Sequence, residues 1–215
     1  LDDLSTGRIQ NLRQVIGHPR FTFVEGTILD EPLVAKLVSQ ADAVIHLAAA
    51  VGVFTIQNKT LDSLRTNIHG AENVIAAAAE HDVRLLLAST SEIYGRNTTP
   101  GLREDADRIV GSPLKSRWSY AEAKALDESF AAAYANERGL RATIVRLFNT
   151  VGPRQTGRYG MVIPRFVRQA LDNRAVTVFG TGEQARCFGH VADIVPAVIR
   201  LVGLDQAIGL AVNLS

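Results

Sequence analysis

Short, uninterrupted apolar runs alternate with longer amphipathic stretches along most of this chain. The runs at 21–25, 43–47, 84–89, 142–148 and 176–179 are continuous rather than alternating, the pattern of parallel strands covered on both faces. The stretches at 31–39, 61–81, 119–137, 160–173 and 191–202 carry helical spacing instead. Strand–helix–strand alternation at this interval predicts βαβ units and a doubly wound parallel α/β sheet. Residues 96–116, rich in Gly, Pro, Asp and Arg, predict a long loop beside an active site. Beyond about residue 151 the pattern loosens. The expected division is therefore 1–150 for the main sheet and 151–215 for a smaller substrate-side region into which sheet elements return. The closing residues, 210–215, are strand-like, and no internal repeat is visible.

Composition narrows the function classes. The 215 residues are 47% hydrophobic, 21% charged and 6% aromatic, enough apolar material for a full core. Lys and Arg total 23 against 22 Asp and Glu, so there is no basic field to attract nucleic acid or an anionic membrane. The longest apolar run, around 41–56, carries Asp42 and His46 and falls short of a membrane span. No signal peptide pattern is seen. A single cysteine, Cys187, cannot close an internal disulfide, which fits a reducing cytoplasm. Beside an aromatic residue it reads as a packed thiol rather than a nucleophile. His46, His69 and His190 lack ligand spacing, so no metal site is expected. The chain starts at Leu1 on a turn, 2–7, and stops in strand-like sequence; both ends read as cuts through a longer protein.

The residues with the clearest chemistry are Tyr120 and Lys124, four apart on an expected helix and so on one face. An ammonium beside a phenol favours the phenolate and makes tyrosine a usable base. Taken alone, the pair reads rather as a half-buried Tyr and a snorkelling Lys. The run Ser89-Thr90-Ser91-Glu92 follows an apolar strand directly, and ligands in open parallel sheets bind just beyond the carboxyl ends of strands. Hydroxyls there can bond a reacting alkoxide and a carboxylic acid can shuttle a proton; the same Ser and Thr can equally cap the next segment. The loop 154–160, with two arginines, reads as a phosphate contact or as a solvated turn.

These features together, with His46-Leu47-Ala48-Ala49, Asn67, Arg146-Leu147-Phe148-Asn149, Val178-Phe179-Gly180 and Arg186-Cys187-Phe188, resemble the extended short-chain dehydrogenase/reductases, in their nucleotide-sugar epimerase/dehydratase branch. The resemblance covers nearly the whole chain and implies a Rossmann-like sheet, with 1–150 a partial NAD-binding domain and 151–215 a partial nucleotide-sugar-binding region. The glycine-rich G-x-x-G-x-x-G turn of that family, where a pyrophosphate meets a helix N-terminus, is not in this sequence. In the family it lies upstream of the acidic turn on which this chain opens. The first strand–helix unit is thus expected to be missing, leaving a sheet edge uncovered and NAD binding by these 215 residues in doubt.

The resemblance also implies roles. Asp2 would hold the adenosine ribose hydroxyls and favour NAD over NADP, and Leu47, Ala48 and Ala49 would pass close to the cofactor. Asn67 would support the site, or simply satisfy buried backbone; Ser89 would also face the cofactor. Tyr120 would take the proton from a sugar hydroxyl. Lys124 would hold the nicotinamide ribose and keep Tyr120 ionised, Thr90 would bond the reacting oxygen, and Ser91 and Glu92 would complete the catalytic set. Asn149, Arg186 and Phe179 would bind the nucleotide portion of the substrate, the guanidinium suiting phosphate oxygens; the place of Arg186 in the Arg-Cys-Phe run favours this over a plain surface Arg. A homodimer through 61–81 and 119–137 is implied as well.

Members of the family share an opening oxidation at sugar C4 and then diverge. Dehydratases typically carry Asp-Glu after the threonine, whereas this chain has Ser91-Glu92. Thr90-Ser91-Glu92, the loop through Ser119-Tyr120 and the Arg186-Cys187-Phe188 run resemble UDP-glucuronate decarboxylases. A UDP-sugar 4-epimerase is the alternative, then a 4,6-dehydratase; from a different class, a catalytically inactive fragment or a binding-only homologue.

Overall fold

The computed structural model describes every residue except 53–55, 57 and 158–160; part of the 154–160 loop and the first residue of the helix expected at 160–173 therefore lie outside the described residues. Four strands, β1 (Ala43–His46), β2 (Arg84–Thr90), β3 (Ala142–Leu147) and β6 (Ala211–Leu214), form one sheet in the order β1-β2-β3-β6. Every pairing in it is parallel. A second, two-stranded sheet joins β4 (Asn149–Val151) to β5 (Phe188–His190). This is the α/β parallel architecture that the apolar runs foretold.

Both faces of β2 are covered, which is why its sequence does not alternate. Leu85 and Leu87 point into a core with Val34 and Val38 of α1 (Glu31–Val38), Val74 and Ile75 of α2 (Thr60–Glu80), and Ala131 of α3 (Ser119–Arg138). Leu86 points the other way, onto Ile194 and Val198 of α5 (Val191–Val202). All three leucines are fully buried, worth about 2 kcal/mol each in removed apolar surface. Small residues let the helices close on this sheet. A Cβ at Gly70 of α2 would lie 2.4 Å from Ile28. A further helix, α4 (Val162–Leu171), lies in the 151–215 part.

Four sequence expectations need correction. The run 21–25 is not a strand; its one bridge joins Asp2 to Glu25, through Asp2 N–H to Val24 O at 3.2 Å and Gly26 N–H to Asp2 O at 3.1 Å. β-propensity cannot form a strand without a neighbour along its length. The run 176–179 is an exposed loop, with Val176, Val178 and Phe179 all open to solvent, because no strand lies alongside it. The single strand expected at 142–148 breaks after Leu147, where β4 leaves to pair with β5. Cys187 is exposed rather than packed, since the segment before β5 has no element laid over it. Loop 96–116 is irregular as expected apart from one short turn before α3, and a Gly95–Ile109 bridge pins it. Among the described residues, no helix is long and apolar enough to cross a membrane.

Candidate active site

The end of β2 delivers the first group of side chains. Ser89 and Thr90 are buried, and the chain then tightens into a single turn, Ser91–Tyr94, that Thr90 caps by accepting the Glu92 N–H at 3.2 Å. The cap uses an oxygen lone pair and not the hydroxyl hydrogen, so capping and bonding to a substrate oxygen are compatible. Ser89 is turned inward, its Oγ donating to Glu128 Oε1 at 2.5 Å.

Helix α3 supplies the second group. Tyr120 and Lys124 stand one turn apart at its start. Tyr120 is half-buried. Burial, then the negative charges of Glu92 and Asp127, hold its phenol above the ordinary tyrosine range. Lys124 is buried and its Nζ donates to Asp127 Oδ2 at 2.8 Å, with Asp127 itself fully enclosed. Burial raises the Asp127 carboxyl and the Lys124 charge opposes that rise. His46, at the end of β1, is held down at about 3 by burial and then by Lys124, so it is a neutral imidazole. Glu92 is exposed at the surface; desolvation by the protein around it raises its carboxyl and the Arg117 guanidinium opposes the rise. Tyr120, Lys124, Thr90, Ser91 and Glu92, expected from the sequence, thus converge where α3 packs on the end of β2.

A cleft of about 750 Å³ opens beyond the carboxyl end of β1, walled by Asp2, Thr27, Ala48, Ala49 and Ser63 among others. Asn67 lies buried beneath it and clamps Ala50 at both ends, accepting the Ala50 N–H at 2.7 Å and donating to the Ala50 carbonyl at 3.1 Å. Its present bonds are those of a buried side chain satisfying backbone. Leu47 is exposed at the cleft wall. Asp2 is exposed, and its Oδ1 accepts the Leu4 N–H at 2.7 Å.

The expected nucleotide-binding residues lie elsewhere. Asn149 on β4 donates to the carbonyl of Cys187 at 2.8 Å, which sets it beside the segment carrying Arg186. Arg186 is exposed and bonded to the neighbouring Ala185 carbonyl. Phe179 is exposed with the Arg165 guanidinium 4.7 Å from its ring centre. Arg154 has φ +69 and reaches the Asn11 carbonyl at 3.4 Å.

Sequence reading passed over a polar network behind the site. Arg146 of β3 pairs with Glu128, donates to Tyr94 Oη at 2.8 Å and to the Glu104 carbonyl at 2.7 Å, and Tyr94 donates to Asn213 of β6 at 2.8 Å. The signal was present: a strand with apolar residues on both sides of one arginine needs a buried carboxylate nearby. The Asp127-Glu128 doublet in α3 supplies it and the Lys124 partner together.

A model of the NAD dependent epimerase/dehydratase family matches residues 1–214. The UDP-N-acetyl-alpha-D-glucosaminuronate decarboxylase of Bacillus cytotoxicus is 46% identical over 174 residues, covering 80% of this chain and 54% of its own length. UDP-glucuronic acid decarboxylase 1 of Xenopus tropicalis is 33% identical over 216 residues, covering 100% of this chain and 49% of its own length. This chain therefore spans about half the length of the curated relatives it matches. Among solved structures, a UDP-N-acetylglucosamine 4-epimerase from Methanobrevibacter ruminantium in complex with UDP-N-acetylmuramic acid superposes with a TM-score of 0.89 at 28% identity, over 100% of this chain and 67% of that one. A UDP-glucuronic acid 4-epimerase from Bacillus cereus, in complex with UDP-glucuronic acid and NAD, gives 0.84 at 27% identity, over 95% and 63%.

Proposed function

Because the chain belongs to the NAD-dependent epimerase/dehydratase family, we propose that this protein oxidises a UDP-linked hexuronic acid at C4 and releases its carboxylate as carbon dioxide. The observation that carries the reading is the Ser91–Tyr94 turn held on α3, which sets Glu92 within electrostatic reach of Tyr120. The names of the decarboxylases similar to this chain support the choice of reaction.

The cleft suits the family's cofactor. Its volume lies in the range of small-molecule sites, Ala48 and Ala49 leave room for close approach, and the exposed Asp2 carboxylate can accept bonds from ribose hydroxyls while repelling a 2′-phosphate. Asp2, Leu47, Ala48 and Ala49 would hold it there, with Tyr120 and Lys124 toward its nicotinamide end and Asn67 bracing the wall. Bound NAD supplies an acceptor for the C4 hydride and returns it at the end of the cycle.

Tyr120 removes the proton of the C4 hydroxyl, and Thr90 donates a hydrogen bond to that oxygen. The ketone so formed is β to the C6 carboxylate. The C5–C6 bond then breaks, its electron pair passes into the C4–C5 enolate, carbon dioxide leaves, and C5 takes up a proton. Burial raises the Glu92 carboxyl, and Glu92 takes up a proton or turns aside as the substrate carboxylate arrives, with Arg117 supplying countercharge. Asn149 and Arg186 bind the diphosphate and Phe179 flanks the base. The exposed Leu61 of α2 and Leu126 of α3 fit a homodimer through those helices.

The test is incubation of the full-length protein with NAD and either UDP-glucuronate or UDP-N-acetylglucosaminuronate, with mass spectrometry of the nucleotide sugar. Loss of carbon dioxide, abolished by Tyr120→Phe, is the expected result. An unchanged mass with a new isomer overturns the reading in favour of 4-epimerisation, the activity named for the two solved structures above.

A further inference from the structure

The Lys124–Asp127 pair changes what Lys124 can do for Tyr120. An unpaired buried ammonium one turn from a phenol would favour the phenolate strongly. Here the Lys124 Nζ is 2.8 Å from Asp127 Oδ2, with the two side chains 3% and 0% exposed. Among the described residues, Asp127 Oδ1 has no hydrogen-bond partner, nor has Nε2 of the nearby His46. The carboxylate's bond is thus to Lys124.

We propose that Asp127 is a positioning residue that holds Lys124 and sets, through its charge, the pH at which Tyr120 becomes a base. The proposal rests on the reading of Tyr120 as the proton acceptor. Charged and titratable groups face this centre from β1, from the Ser91–Tyr94 turn and from α3. They are His46 from β1, Glu92 from the Ser91–Tyr94 turn with Arg117 behind it, and Lys124, Asp127 and Glu128 from α3 itself. His46 is neutral across the working range. Glu92 and Asp127 both oppose the phenolate, and Lys124 is the cation that Asp127 offsets. A negative charge that faces both the base and its activating cation makes ionisation of the base harder. Neutralising Asp127 therefore makes Tyr120 more acidic.

The experiment is a pH titration of the full-length protein with NAD bound, reading tyrosinate absorption in the near ultraviolet. The Tyr120 contribution is isolated as the part missing in Tyr120→Phe. Asp127→Asn keeps the side chain's shape and an acceptor for Lys124 but removes the charge. Its Tyr120 midpoint is expected to fall by about one pH unit, or tenfold in proton affinity, with the acid limb of kcat/KM moving the same way. Asp127→Glu restores the carboxylate and returns the midpoint toward that of the parent. An unmoved midpoint in Asp127→Asn, as when Asp127 already carries a proton, overturns the proposal. Equal shifts in Asp127→Asn and Asp127→Glu assign the effect to packing and overturn it too. If Asp127→Asn fails to fold, Asp127→Ser is titrated in its place under the same criteria. A Tyr120→Phe protein that turns over nucleotide sugar at the parent rate defeats the reading of Tyr120 as base, whereas the phenol titration still decides the effect of Asp127.

Discussion

Arg146 of β3 and Glu128 of α3 meet in a two-point pair, Nη2 to Oε2 at 2.8 Å and Nε to Oε1 at 3.0 Å. Each side chain is only 12–13% exposed. The same carboxylate accepts from Ser89 at the end of β2, and the same guanidinium reaches Tyr94 and the Glu104 carbonyl. One ion pair therefore ties the catalytic turn, the strand beneath it and the long loop to helix α3.

Removing one member leaves the other charge enclosed. Glu128→Ala is expected to lower unfolding free energy by about 3 kcal/mol, read as the midpoint of urea unfolding. A double variant, Glu128→Leu with Arg146→Met, should recover most of that loss, because an apolar pair of similar size avoids the desolvation penalty. A double variant no more stable than Glu128→Ala would show that the hydrogen bonds to Ser89 and Tyr94, rather than the unpaired charge, set the cost.

The sequence carried this pair only faintly, and the contrast with what it carried well is physical. β2 was legible because Leu85, Leu86 and Leu87 alternate between two cores, so every position had to be apolar. Tyr120 and Lys124 were legible because helical spacing alone puts them on one face. The runs 21–25 and 176–179 were misread because a strand is defined by its neighbours, and single-chain patterning does not report them. Asp127 was invisible for the opposite reason. A carboxylate three residues after a lysine reads as a solvated surface pair, and only the packing of α3 shows it to be buried. Asn149, Arg186 and Phe179 were drawn from resemblance, and in the fold they lie on the exposed β4–β5 side, away from the cleft residues.

Asn67 holds the cleft wall by two bonds to one residue, Ala50. Asn67→Ala would strand the Ala50 N–H and leave the Ala50 carbonyl with the Ser63 hydroxyl as its side-chain donor. The expected loss is about 2 kcal/mol, measured by thermal unfolding, together with a weaker apparent affinity for NAD. Asn67→Asp keeps the acceptor and loses the donor, so it should fall between. An Asn67→Ala protein with parent NAD affinity would separate the wall from cofactor binding.

His46 makes stability depend on pH in one direction. Burial and then Lys124 hold its imidazole at about 3, against 6.5 for an exposed histidine. The folded chain therefore keeps it neutral while the unfolded chain takes up a proton below pH 6.5. Stability present at neutral pH is lost as pH falls from about 6.5 toward 3. Across pH 7 to 5 this amounts to about 2 kcal/mol. In His46→Phe, the drop in unfolding free energy between those two pH values should be smaller by that amount. An equal drop in both proteins would mean that His46 gains its proton without unfolding.

Gly95 closes the catalytic turn in a conformation that only glycine adopts easily, φ +66 and ψ −115. A Cβ there would lie 2.2 Å from the carbonyl oxygen of Ile109 and 2.8 Å from its carbon. Both are backbone atoms and cannot rotate aside. Gly95→Ala must therefore push loop 96–116 away and break the bonds from Arg96 N–H to Ile109 O and from Ile109 N–H to Tyr94 O. Destabilisation of about 2 kcal/mol is expected. Turnover should fall further than stability does, because the Gly95 N–H also bonds the Glu92 carbonyl and so fixes the turn that carries Glu92. Limited proteolysis reads the loop and kcat/KM reads the turn. A Gly95→Ala protein that resists cleavage in 96–116 as the parent does, and yet loses turnover, would locate the defect in the turn alone; loss of resistance with full turnover would show that the loop and the catalytic residues are not mechanically linked.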